Sequence, residues 1–212
     1  LPEAWLFPKV AGRRQSPGRA TGGIGRVRGY FAVGVENLSK AANIGSLWRT
    51  AHAFGAQFLF TIATDYAVRQ GAKVDTSAAE AEVPLFHYPD VQGLVLPRGC
   101  RLVGVEIRDD AVLLPSFRHP RACAYVFGRE RGALTDALVA RCDHLVRIPA
   151  KFAVNVGIAG AIVLYDRLIS VGRFPVRPVT PDGTPAPLPE PVFGAPKRRR
   201  PAGGDDGGTP GD

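Results

Sequence analysis

Between Tyr30 and Val171, short and almost continuously apolar runs take turns with stretches of helical spacing, and this alternation constrains the fold more than any other feature of the chain. YFAVGVEN at 30–37, QFLFTI at 57–62, VPLFHY at 83–88, RLVGVEI at 101–107, ACAYVFG at 122–128 and HLVRIP at 144–149 read as strands. They barely alternate polar with apolar residues, as strands buried on both faces do. Helical spacing links Ile44, Leu47, Ala51 and Phe54 in a helix over 43–54, and recurs over 135–141 and 155–171. The polar, Ala-rich residues 63–82 predict a loop with a short helix, and 91–94 a brief helical turn. Strands separated by helices predict an α/β fold, a mainly parallel sheet with helices on both faces. Ligands of such sheets lie beyond the carboxyl ends of the strands, which directs attention to the segments after Ile107, Phe127 and Ile148.

The last helical stretch, RIPAKFAVNVGIAGAIVLYDRL, is oily but short. Its apolar run from Phe152 to Tyr165 holds 14 residues with Asn155 among them, against about 20 apolar residues for a bilayer span. No membrane partner is expected. Residues 1–30 hold no continuous apolar segment of the secretory type, so the expected location is cytoplasmic. The chain contains no methionine, and translation from a valine such as Val27 is one expectation for residues 1–26.

Charge divides the chain into three. Residues 1–29 carry a net +5, residues 30–172 a net +2 and residues 173–212 a net +1. We read 1–29 as a basic, flexible arm, 30–172 as the folded domain, and 173–212 as a disordered Pro/Gly-rich tail carrying KRRR at 197–200. Basic ends around a near-neutral domain suit an anionic partner such as RNA, although solvation alone also accounts for surface arginines.

Several chemistries are disfavoured. Cys100, Cys123 and Cys142 form no CxxC pair and the four histidines are scattered, so no metal is expected. GIGRVRG at 23–29 precedes the first strand and opens no helix, which argues against a dinucleotide loop and a nucleotide-dependent oxidoreductase. Taken alone, Asn43 is a helix cap, Arg49 a surface charge six residues on, and Glu130 a partner for its arginine neighbours. Gly128, at the end of a buried strand, lets a flat ligand approach the backbone, since no Cβ intervenes.

Three segments taken together resemble the SpoU, or TrmH-type, class of SPOUT RNA 2'-O-ribose methyltransferases. They are NIGSLWRTAHAFG (Asn43 to Gly55), FGRERGAL (Phe127 to Leu134) and RIPAKFAVNVGIAGAIVLYDRL (Arg147 to Leu168), in that order, within residues 30–170. The resemblance implies a C-terminal deep trefoil knot, bound S-adenosylmethionine, a tRNA or rRNA substrate, and a homodimer. It implies catalytic roles for Arg49, Asn43, Glu130 and Asn155. Val105, Glu106, Gly128, Ile148, Pro149 and Val154 would contact the cofactor, and Arg49, Arg129 and Lys151 the RNA.

A guanidinium stays protonated at neutral pH and is a poor general base, so Arg49 is expected to clamp a phosphate and stabilise a developing 2'-alkoxide. One departure stands out: Ala153-Val154-Asn155 occupies the place of the family's Ser-Leu-Asn, and Gly157 replaces a second small hydroxyl residue. Without that Ser, a non-catalytic RNA-binding protein that keeps the knotted dimer is the alternative. In the last helix, Gly157, Ala159, Gly160 and Ala161 offer a small-residue surface, and Ile158, Ile162, Tyr165 and Ile169 an apolar stripe, for a dimer or for the core.

Overall fold

The structure, a computed structural model, describes residues 29–74, 77–129, 132–172 and 174–187. The proposed basic arm therefore lies outside the described residues, apart from Gly29, as does the KRRR run. Seven strands, β1 (Tyr30–Glu36), β2 (Phe58–Ile62), β3 (Leu85–Tyr88), β4 (Arg101–Val105), β5 (Val112–Leu113), β6 (Ala122–Phe127) and β7 (His144–Arg147), form one sheet in the order β3-β2-β1-β6-β4-β7-β5. Every neighbouring pair is parallel. All strand carboxyl ends therefore open on one edge.

Both sheet faces are buried, as the unbroken apolar runs require. Along β1, Phe31, Val33 and Val35 enter one core cluster and Ala32 the other. Along β6, Cys123, Tyr125 and Phe127 face the first cluster, and Ala124 and Val126 the second. The helices are α1 (Ala41–Phe54), α2 (Tyr66–Val74), α3 (Ser77–Glu80), α4 (Asp136–Val139) and α5 (Val156–Val171). The core residues of α1, α2, α3 and α5 belong to the first cluster, so helices are not shared evenly between the faces. The second face is closed by Leu138 of α4 with Val91 and Leu94 from the irregular segment before β4. The Arg141 guanidinium ties that segment down by donating to the carbonyls of Val91 and Leu94.

Local chemistry explains where the elements depart from expectation. Helix α1 begins at Ala41, with Lys40 in the cap position and no side-chain cap bond, so Asn43 sits in the first turn and does not cap. It ends at Gly55, whose φ of 79° is the left-handed conformation glycine adopts without strain, and whose N–H donates to Ala51 and His52 carbonyls. Residues 63–82 hold two helices instead of one, and 91–94 makes a turn without a helix. Two-residue β5 is too short to give a periodic signal. No helix among the described residues is long and apolar enough to cross a membrane.

The small residues of α5 serve packing within the chain. A Cβ on Gly160 would stand 2.3 Å from Leu47 Cδ1, and one on Gly157 would stand 2.4 Å from Ser46 Oγ. Both partners lie on α1. The other stripe, Ile158, Ile162, Tyr165 and Ile169, stays exposed on the opposite side. Of the two surfaces read from the sequence, the small-residue one packs against α1 and the apolar stripe is not part of the core.

The chain divides into two units at Phe174. In the second, residues 174–187 form no helix or strand, and turn where Gly183 N–H donates to the Thr180 carbonyl, 3.2 Å.

Behind β6 lies a buried polar network. His119 Nε2 donates to Asp166 Oδ2 at 2.8 Å, and its Nδ1 accepts from the Tyr125 hydroxyl at 2.5 Å. Beside it Arg167, 1% exposed, donates to the carbonyls of Pro120 and Arg121 and lies over the Phe31 ring. Burial holds the His119 pKa below its ordinary value; Asp166 opposes the shift and Arg167 adds to it. The neutral ring already satisfies both neighbours. Because the unfolded chain takes up a proton near pH 6.5 and the folded chain only at lower pH, stability is full above about pH 6.5 and falls as the solution is acidified below it. Urea titrations between pH 8 and pH 5 should show this slope for the native chain and a shallower one for His119→Gln.

Candidate active site

A cleft of about 250 Å³ opens at the carboxyl ends of β4, β6 and β7. Val105 and Glu106 reach it from the end of β4, Phe127 and Gly128 from the end of β6, and Ile148 from beyond β7. Val154 and Val156 supply a further wall where α5 begins. The walls are mainly aliphatic, as suits a flat heterocycle joined to a small polar group. Gly128 matters sterically: a Cβ there would meet Leu134 N at 3.2 Å and the Ala133 carbonyl carbon at 3.3 Å. The loop folds back onto it.

Of the residues expected at a cofactor, Val105, Glu106, Gly128, Ile148 and Val154 share this cleft, and Arg129 joins them. Pro149 does not line it. The Ala150 N–H donates to the Ile148 carbonyl at 2.8 Å, a tight turn with Pro149 at its apex, and it is Ile148 and Ala150 that line the cleft. Lys151 and Arg49 are exposed and outside the lining. Glu130 lies outside the described residues. Phe152, 75% exposed, stands at the cleft without having been singled out in the sequence, and Ile107, 57% exposed, which was read only as a strand end, lines it too. An aromatic in a short strand-to-helix loop was the available signal for Phe152.

The two asparagines meet. Asn155 Nδ2 donates to Asn43 Oδ1 at 2.9 Å, joining the start of α5 to the first turn of α1 across 112 residues. Asn155 also caps α5, its Oδ1 accepting the Gly157 N–H at 2.8 Å. One amide therefore ends the loop, starts the helix and fixes the neighbouring helix. Ala153 lines the cleft where a hydroxyl was expected from the resemblance, so that wall is apolar. Among the described residues no group of side chains is arranged to hold a metal ion.

A parallel sheet with a small-ligand cleft at its strand ends defines an α/β protein built to bind a ligand there; Asn43 and Asn155 do not line the cleft, but Val154 and Val156 on either side of Asn155 do. Comparison with known proteins narrows this. Residues 30–165 match the model of the SpoU rRNA Methylase family, and the chain belongs to that family. It is 24% identical over 151 residues to the mouse (Mus musculus) tRNA (guanosine(18)-2'-O)-methyltransferase TARBP1, covering 68% of this chain but only 10% of that protein's length.

Solved structures share the fold. They include an AdoMet-bound rRNA methyltransferase from Sinorhizobium meliloti, with a TM-score of 0.59 and 20% identity over 66% of this chain and 56% of that one. The SpoU methyltransferase AviRb from Streptomyces viridochromogenes gives a TM-score of 0.58 at 20% identity, over 67% of this chain and 60% of that chain. The A. aeolicus TrmH/SpoU tRNA modifying enzyme gives 0.55 at 17% identity, over 69% and 78%.

The double duty of Asn155 can be separated by substitution. Asn155→Ala, which removes both cap and bridge, should lower stability by about 0.5–2 kcal/mol in urea denaturation, and Asn155→Ser, which caps but is too short to bridge, should recover most of the loss. Equal losses would mean that the bridge, not the cap, holds the helix end.

Proposed function

We propose that this chain transfers a methyl group from S-adenosylmethionine to a ribose 2'-hydroxyl of tRNA or rRNA. The observation that carries the reading is the aliphatic cleft at the ends of β4, β6 and β7, with Asn155 between its wall residues Val154 and Val156 and bonded to Asn43, in a chain of the SpoU rRNA Methylase family. When bound, S-adenosylmethionine supplies an electrophilic methyl group. Val105, Ile148, Val154 and the backbone beside Gly128 would hold its adenine part. Asn43 and Asn155 fix the ends of α1 and α5 around the reacting groups. Arg49 holds the RNA phosphate and stabilises the 2'-oxygen as its proton passes to that phosphate or to water, while Glu130 orients Arg49 or the RNA, and Arg129 and Lys151 bind the backbone. Alignment of nucleophile, methyl group and leaving sulfur supplies much of the rate, on the order of 7–11 kcal/mol for well-oriented reactions.

The same reading carries a trefoil knot, supported by the placing of β6 between β1 and β4 and of β7 between β4 and β5. An experimental chain trace without a threaded loop would refute it. It also carries a cytoplasmic location, consistent with three free cysteines, which cell fractionation tests.

Calorimetry with S-adenosylmethionine and nucleoside mass spectrometry of RNA from cells with and without the gene test the activity. Arg49→Ala should bind the cofactor as the native chain does and lose methyl transfer; undiminished turnover removes Arg49 from the mechanism. A chain that binds RNA but gives no heat with the cofactor is a binding protein, the alternative that Ala153 favours.

A homodimer through the outer face of α5 is supported by the exposed stripe Ile158, Ile162, Tyr165 and Ile169, an apolar patch of the kind that marks interaction sites. Tyr165→Glu should convert a dimer to a monomer in sedimentation equilibrium. A native chain that sediments as a monomer at micromolar concentration excludes the dimer.

A further inference from the structure

Glu36 ends β1 and is 2% exposed, and it is not among the residues that line the cleft. Both of its carboxylate oxygens are occupied by one residue 99 positions away. Oε2 accepts the Thr135 N–H at 2.9 Å, and Oε1 accepts the Thr135 hydroxyl at 2.6 Å. The Thr135 oxygen in turn accepts the Leu138 N–H at 3.3 Å, which caps α4. On the other side Glu106 does the corresponding thing one residue earlier: its Oε2 accepts the Leu134 N–H and its Oε1 the Ile107 N–H, each at 2.8 Å.

The sheet order makes these contacts a pair. β6 lies between β1 and β4, so the loop that leaves β6 at Gly128 and returns at Leu134 is gripped from the left by a carboxylate ending β1 and from the right by one following β4. That loop supplies Gly128, Arg129 and Gly132 to the cleft. Burying a carboxylate is unfavourable unless its oxygens are matched by donors, and charge-assisted bonds to backbone N–H groups are the strong kind. A buried carboxylate spent wholly on one loop residue fixes where that loop stands.

We propose that Glu36 is a positioning residue for the cleft: through Thr135, and together with Glu106 through Leu134, it sets the wall against which the cofactor binds. The inference rests on the reading of the cleft as the S-adenosylmethionine site. It places cofactor affinity partly under the control of a side chain that does not contact the cofactor. In Glu36→Gln the amide N–H₂ faces the Thr135 oxygen, so the hydroxyl must turn away and its bond can form only in reverse, while both bonds of the grip lose the charge that strengthens them.

The test uses the full chain and S-adenosylhomocysteine, titrated calorimetrically at a temperature where circular dichroism shows each variant folded. Glu36→Gln should raise Kd about ten-fold or more, the scale on which a small displacement of a binding group acts. KM for RNA should stay within two-fold of the native value, a split that loss of general stability does not produce. Should Glu36→Gln fail to fold, the Thr135 series decides: Thr135→Val should weaken cofactor binding as strongly, and Thr135→Ser, which keeps the hydroxyl, should restore it. Native affinity in folded Glu36→Gln, or equal affinity in Thr135→Val and Thr135→Ser, overturns the positioning role and leaves the methyltransferase reading intact. A folded native chain that gives no heat at all removes that reading, and this inference with it.

Discussion

The position of β6 governs the rest of the molecule. Ala122–Phe127 runs between β1 and β4, pairs in parallel with both, and is buried from Cys123 onward. Its register with β1 spans Tyr30 to Val35, so a segment from the far half of the sequence sits in the middle of the sheet. Closing so long a loop adds little free energy beyond closing a short one, because the entropy of closure grows only logarithmically, but it makes the contact map non-local and the folding correspondingly slow. Once β6 is in place, the carboxyl ends of β4, β6 and β7 converge, and the loop after each contributes to one cleft.

The same insertion explains how the cleft is built with few charged groups in its lining. Its walls are aliphatic side chains and backbone from strand ends, and the carboxylate of Glu106 is engaged by two backbone N–H groups. Backbone groups at the ends of buried strands hold their positions because the ladder behind them is fixed. Side chains on free loops would have to be ordered at the moment of binding, which opposes it. Geometry that is ordered before the ligand arrives suits a reaction that depends on alignment more than on proton transfer.

Helix α5 shows how one element divides its surface between duties. Its inner face is small because Leu47 and Ser46 of α1 press against Gly160 and Gly157, leaving no room for a Cβ without displacement. Its first turn is fixed by Asn155, which binds its own helix and Asn43 together. Its last turns carry Asp166 and Arg167 into the network that anchors the segment leading into β6. The outer face takes no part in any of this and remains apolar and open.

The unbroken apolar runs were enough, by themselves, to determine parallel strands buried on two faces, since such runs have no soluble face to offer. Helical spacing determined α1 and α5, and three short motifs determined the family. What the sequence could not express were contacts whose partners stand far apart in the chain. The Asn155 amide was legible as the start of a helix, but its bond to Asn43 was not, because 112 residues separate them. Glu36 read only as part of a strand, and the resemblance put Glu106 at the cofactor; only the placing of β6 between their strands turned them into a grip on Leu134 and Thr135. β5, two residues long, is stabilised by its neighbour β7 and carries no periodicity of its own, whereas the helical spacing over 135–141 did mark α4, which is only one turn long. Burial patterns are local and written in residue type, whereas hydrogen-bond partners across a sheet are fixed by strand order, which tertiary structure alone decides.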